Sequence, residues 1–152
     1  MKIRNGFVSN SSSSSFIVIG GDHADIPAGW VGEDFIIDHN LGKTEFGWED
    51  ERSDDFGSRV TFSCIQAMEL DEKNGDGRYM DMLVDVLTNG LQCISVINKL
   101  TLNDWDSKDH SYIDHQSSAC EGENIEMFDS EEKLFDFLFS SDSYIQTGND
   151  DG

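Results

Sequence analysis

Cations are scarce in this chain: ten Lys and Arg stand against 31 Asp and Glu, giving a formal net charge of −21. Each basic residue stands singly, so there is no cluster able to displace counterions from a phosphate backbone or to settle on anionic lipid. Direct nucleic-acid binding and membrane-surface binding are excluded on that ground. No apolar run approaches the roughly 20 residues a spanning helix needs. Cysteine is equally sparse. Cys64, Cys93 and Cys120 are odd in number, far apart and without a CxxC pair, which gives neither a disulfide framework nor a zinc site. With no apolar targeting segment after the charged start, the chain is expected in a reducing cytoplasm. Internal repeats, a Gly-rich phosphate loop with Lys and a Gly-x-Ser-x-Gly elbow are all missing.

What is present is aromatic. Phe, Trp and Tyr make up 11% of 152 residues, with ten Phe, although apolar residues as a whole reach only 37%. Such a chain has the material for a compact core under a charged exterior. At this length it is expected to form one domain over residues 1–152, burying about two thirds of its unfolded surface.

Periodicity organises that core. Phe16-Ile17-Val18-Ile19 reads as a buried strand entered from a serine loop. Phe35-Ile36-Ile37 and Phe46-Gly47-Trp48, separated by Asn40-Leu41-Gly42-Lys43, predict a β-hairpin, and the acidic stretch 49–55 predicts a solvated turn. Val60, Cys64, Ala67 and Met68 recur at helical spacing and predict a helix over Ser58–Glu72. Tyr79, Met80, Leu83, Val84 and Leu87 predict a second, capped by Asp76 and stopped at Asn89-Gly90. Strand character returns from Cys93 to Leu102 and at Tyr112-Ile113. Asp129 with Glu132 predicts the start of a last helix carrying Leu134, Phe135, Phe137, Leu138 and Phe139. The order predicts an α+β domain, a small mostly antiparallel sheet with a helical hairpin and a C-terminal helix packed on one face.

The opening Lys2-Ile3-Arg4, then Gly6-Phe7-Val8-Ser9-Asn10-Ser11 through Phe16, resembles the first residues of small uncharacterised proteins predicted in bacteriophages and bacteria. Phe137-Leu138-Phe139, Ser143-Tyr144-Ile145 and Thr147-Gly148-Asn149-Asp150 are similar to the end of the same group, as is the inner Tyr112-Ile113-Asp114-His115-Gln116-Ser117. The resemblance covers roughly a quarter of the chain and implies a phage or prophage origin. It transfers no catalytic residue.

Charge therefore carries the functional expectation. Duplex DNA presents about one charge per 1.7 Å of axis, and carboxylates at comparable density compete for the basic groove of a nucleic-acid-handling enzyme. The expected partner is a host or viral protein with a basic surface, met by Glu49, Asp50, Glu51, Asp54 and Asp55 and by Asp104, Asp106 and Asp109. The alternative is a metal-binding or hydrolytic domain in which Asp114 and His115 join Asn149, Asp150 and the serine run, since imidazole plus carboxylate serves metal binding or general base catalysis. Binding is favoured over enzymology, with no cofactor or metal. Asp71 to Gly77 fails as a calcium loop, because its twelfth position would be Leu83 and not a bidentate Glu.

Overall fold

The computed structural model describes residues 13–22, 26–46, 51–102, 110–113 and 122–149. In chain order these form β1 (Ser13–Val18), β2 (Asp34–Ile37), β3 (Glu45–Phe46), β4 (Glu51–Ser53), α1 (Phe56–Asn74), α2 (Arg78–Leu91), β5 (Ser95–Asn98), β6 (Thr101–Leu102) and β7 (His110–Ile113). A 3-10 helix over Gly122–Asp129, then α3 (Glu131–Phe139) and β8 (Tyr144–Asn149), complete it. The fold is α+β. An antiparallel sheet of order β1-β8-β4 lies with three helices, and two short parallel ladders, β2-β5 and β3-β7-β6, stand beside it.

Asp55 starts α1 by accepting the Ser58 N–H at 3.0 Å, and Gly75 ends it in the left-handed region at φ 76°, its N–H on the Asp71 carbonyl at 2.8 Å. Every residue from Gly57 to Ala67 is buried, so this half of α1 is enclosed on all sides rather than on one stripe. Its polar members are bonded inward. Ser58 Oγ accepts from the Lys43 N–H at 3.0 Å, Thr61 Oγ1 donates to the Lys43 carbonyl, and Ser63 Oγ donates to the Arg59 carbonyl at 2.8 Å. The close approach needs glycine at position 57, where a Cβ would stand 1.9 Å from the Leu41 carbonyl oxygen.

The second helix keeps its amphipathic pattern, burying Leu83, Val86, Leu87 and Leu91. Its predicted ends shift. Gly77 occupies the cap position without a side-chain bond, while Asp71, one turn from the end of α1, accepts the Tyr79 and Met80 N–H groups at 2.9 and 3.0 Å. One carboxylate thus closes the first turn of α2 and ties the helical hairpin together. At the other end the helix runs through Asn89-Gly90 to Leu91 and stops at Gln92, φ 56°. Gly90 is instead a packing device: a Cβ there would come 2.4 Å from the Phe139 ring. The cap of α3 moves by one residue, to Ser130, which accepts the Lys133 N–H at 3.1 Å.

Two expectations are corrected in the sheets. The run 35–37 and the described start of the run 46–48 are not paired as a hairpin: β2 pairs in parallel with β5 (Asp34↔Ser95 to Ile37↔Asn98), and β3 pairs in parallel with β7 (Phe46↔Ile113). The serine run is not simply a loop, since Ser13, Ser14 and Ser15 pair with Asn149, Gly148 and Thr147. The core joins these layers through Ile17, Phe35, Phe62, Leu87, Phe137 and Ile145. Edge-on ring pairs (Phe46–Phe62 at 5.1 Å, Trp30–Phe35 at 4.9 Å) and the stacked Phe56–Phe139 pair at 5.6 Å fix their geometry.

Candidate functional site

Of the acidic residues expected to meet a partner, Glu51, Asp54 and Asp55 are described. Within the described part of that stretch, residues 51–53 form a strand rather than a solvated turn. Glu51 lies in β4 with its carboxylate on Lys43, its carbonyl accepts Gln146 Nε2 at 3.1 Å, and Ser53 is buried against β8 in register with Ile145. Asp55 serves as the α1 cap, and Asp54 is exposed. Glu49, Asp50, Asp104, Asp106, Asp109, Asp114, His115 and Asp150 lie outside the described residues. Of the residues named for the alternative site, Ser13 lies opposite Asn149 in the β1–β8 ladder. The ladder that leads toward Asp114 is a separate one, ending at Ile113.

Catalytic arrangements find little support among the described residues. No group of three or more His, Cys, Asp or Glu is placed to hold a metal ion. Cys64 and Cys93 are buried, and burial pushes the Cys64 thiol up to about 12, so it is protonated at neutral pH and inert as a nucleophile. The densest polar cluster joins the end of β1 to the turn after α3. Ser140 Oγ accepts the Asp22 N–H at 2.9 Å and contacts Asp22 Oδ1 at 2.8 Å and Asp142, while Ser141 donates through N and Oγ to Asp22 at 2.8 and 2.5 Å. Ser143 Oγ accepts the Gly20 N–H at 2.8 Å and donates to the Asp136 carbonyl at 3.0 Å. These bonds run between neighbouring loops and fasten the chain crossing; a carboxylate contact alone does not activate a serine as an imidazole would.

The distribution of charge is the more informative geometry. Of the seven described cations, Lys73 and Lys99 are exposed, and the other five make side-chain contacts within the molecule. Arg59 is fully buried and donates through Nη1 to the carbonyls of Phe137, Leu138 and Ser140 at 3.2, 2.8 and 2.7 Å, meeting the negative end of α3. Lys43 is on Glu51, and Lys133 binds Glu126 and Asp129 at 3.2 and 3.4 Å. Arg52 covers the Tyr144 ring at 3.8 Å, and Arg78 donates to the Tyr79 hydroxyl at 2.7 Å. Many carboxylates are exposed: Glu72, Asp76, Asp81 and Asp85 on and beside the helical hairpin, and Glu131 and Glu132 at the start of α3, with Asp129 exposed beside Lys133. Sequence reasoning passed over these helical acids in favour of the acidic loops, although the apolar period that buries Leu83 and Leu87 already places Asp81 and Asp85 opposite them.

No described helix is long and apolar enough to cross a membrane. No protein-family model, curated protein or solved structure matches the chain.

Proposed function

We propose that this is a phage-type acidic binding protein that acts in the host cytoplasm on a host or viral protein with a basic surface. Its most concrete form is inhibition of a nucleic-acid-handling enzyme by occupying the groove meant for phosphates. The supporting observation is the excess of exposed carboxylates over exposed cations on the helices. With Arg59 buried under α3 and Lys43 and Lys133 paired with acids of the same chain, the exposed carboxylates of the helices outnumber the exposed cations beside them, Lys73 and Arg78, and leave that exterior net negative. Such a field steers a cationic partner and raises its rate of encounter. The acidic helical residues join Asp54 as the surface that does this.

Binding to a partner captured from infected cells tests the reading when followed as a function of salt. The affinity is expected to fall at least about tenfold between roughly 50 and 200 mM salt, and duplex DNA is expected to compete for the same partner surface. An affinity indifferent to salt removes the electrostatic basis of the proposal.

A further inference from the structure

Where the end of α1, the start of α2 and the segment Leu100–Leu102 meet, the surface opens into a groove of about 540 Å³. Its floor is apolar, made by Met68, Met80, Leu100 and Leu102, and Asp71 and Glu72 stand along its wall. The groove is preorganised. Asp71 is held by the Tyr79 and Met80 N–H groups, which fixes the carboxylate and the first turn of α2 together. Thr101, whose carbonyl is anchored by Ser111 Oγ at 3.0 Å, brings to the lining a buried hydroxyl oxygen with no hydrogen-bond partner. Glu72 is exposed beside it.

An apolar floor under a carboxylate wall suits a ligand with a long aliphatic stem and a cationic head. Small apolar molecules would leave the carboxylates unmatched, and a bare cation would leave the methionines uncovered. Unbranched methionine accommodates such a stem without a fixed shape requirement, and long basic side chains lay their methylenes on apolar surface while the head seeks charge. We propose that the groove seats one protruding arginine or lysine of the basic partner, its stem along Met68 and Met80 and its head on the Glu72 carboxylate, with Asp71 as a fixed second anion. This rests on the binding function proposed above and gives that function an anchoring point.

The methionine methyls provide the readout. The chain has five methionines, of which Met68 and Met80 line the groove while Met82 and Met127 do not. Methyl-labelled protein titrated at low salt with a peptide of alternating arginine and serine is expected to show saturable shifts at Met68 and Met80 and none at Met82 or Met127. Glu72→Gln should weaken the peptide about three- to fivefold, as expected for loss of one ion pair at a partly exposed site. Glu33→Gln, just ahead of β2, removes the same charge outside the groove lining and outside the helical acids, and should change affinity by less than about 1.5-fold. Both positions are exposed, so neither change threatens folding. If the peptide binds without moving the two methyls, or if the two variants weaken it equally, the groove assignment falls and the general acidic surface stands. A peptide that does not bind at all overturns the parent reading as well.

Discussion

The buried half of α1 and the outer face of α2 handle polarity in opposite ways. From Gly57 to Ala67, α1 carries Ser58, Arg59, Thr61, Ser63 and Gln66 into the interior, whereas α2 keeps an apolar stripe inside and leaves Asp81 and Asp85 in water. A buried polar group needs partners in place, so α1 is constrained by what surrounds it: the Lys43 backbone, the carbonyls ending α3, the Leu41–Gly42 chain. The second helix is constrained only on its inner side. Precise polar pairing thus constrains the buried half of α1, while the outer face of α2 carries exposed carboxylates, and substitutions should separate the two.

Arg59→Met should break the comparison most severely. The three carbonyls that end α3 would lose their charged donor, and unsatisfied buried acceptors together with altered packing should cost at least about 3 kcal/mol. Urea titration measures this directly, as a lower midpoint with little change in slope. A methionine variant as stable as the parent would show that the guanidinium does not hold α1 to α3. Cys64, further along the same helix, should give the next largest effect, and the part that comes from its ionisation is confined to alkali. The unfolded thiol ionises near its ordinary 9.0, the folded one at about 12. Its contribution is fully present below the unfolded value and is lost as pH rises through the window between the two, at about 1.4 kcal/mol per pH unit. Cys64→Ala lowers stability at neutral pH by leaving a cavity, but its stability should decline less steeply than the parent's above about pH 9. Parallel declines in the two proteins would count against a buried, protonated thiol.

Asp71→Ala should have a smaller effect, about 1 kcal/mol, because it removes the acceptor from two N–H groups at the start of α2. Thermal unfolding measures it, and Asp76→Ala should be near neutral by comparison, since Asp76 accepts only from the Arg78 N–H at 3.3 Å. Larger loss at Asp76 would return the cap to where the sequence pattern places it. Asp71 and Asp76 also show which features are legible in a sequence. Helix α2 was visible because Leu83 and Leu87 repeat at its period, and its cap was not, because Asp71 reaches back across the turn from another helix. The strands 34–37 and 45–46 were visible as apolar runs; their partners were not, because Asp34 pairs with Ser95 and Phe46 with Ile113, far outside any local window. Arg59 gave no local signal of burial at all, its environment being assembled by α3. The acidic character of the chain could be read directly from composition. The exposure of Asp81 and Asp85 is legible too, opposite Leu83 and Leu87, whereas the pairing of Glu51–Ser53 with β8 is not, because its partners Ile145 to Thr147 lie far along the chain.

The exterior half of the comparison should yield the smallest change in stability, and its sign is the informative part. Asp81 and Asp85 sit four residues apart on one exposed face of α2, where like charges oppose each other by a few tenths of a kcal/mol. In a chain of net charge −21, each also adds to the general self-repulsion of the folded state. Asn has a weak helix propensity similar to that of Asp, so the double variant Asp81→Asn, Asp85→Asn changes little besides charge. Asp81, in the first turn, also interacts favourably with the positive end of the helix, which offsets part of the gain. The expected result at low ionic strength is a shift within about 0.5 kcal/mol, stabilising if repulsion outweighs the helix-end interaction, and shrinking toward zero as salt screens both terms. A loss exceeding 1 kcal/mol that persists at high salt would mean these carboxylates hold the fold together as Arg59 does, and the division between a structural interior and a free acidic exterior would no longer describe this protein.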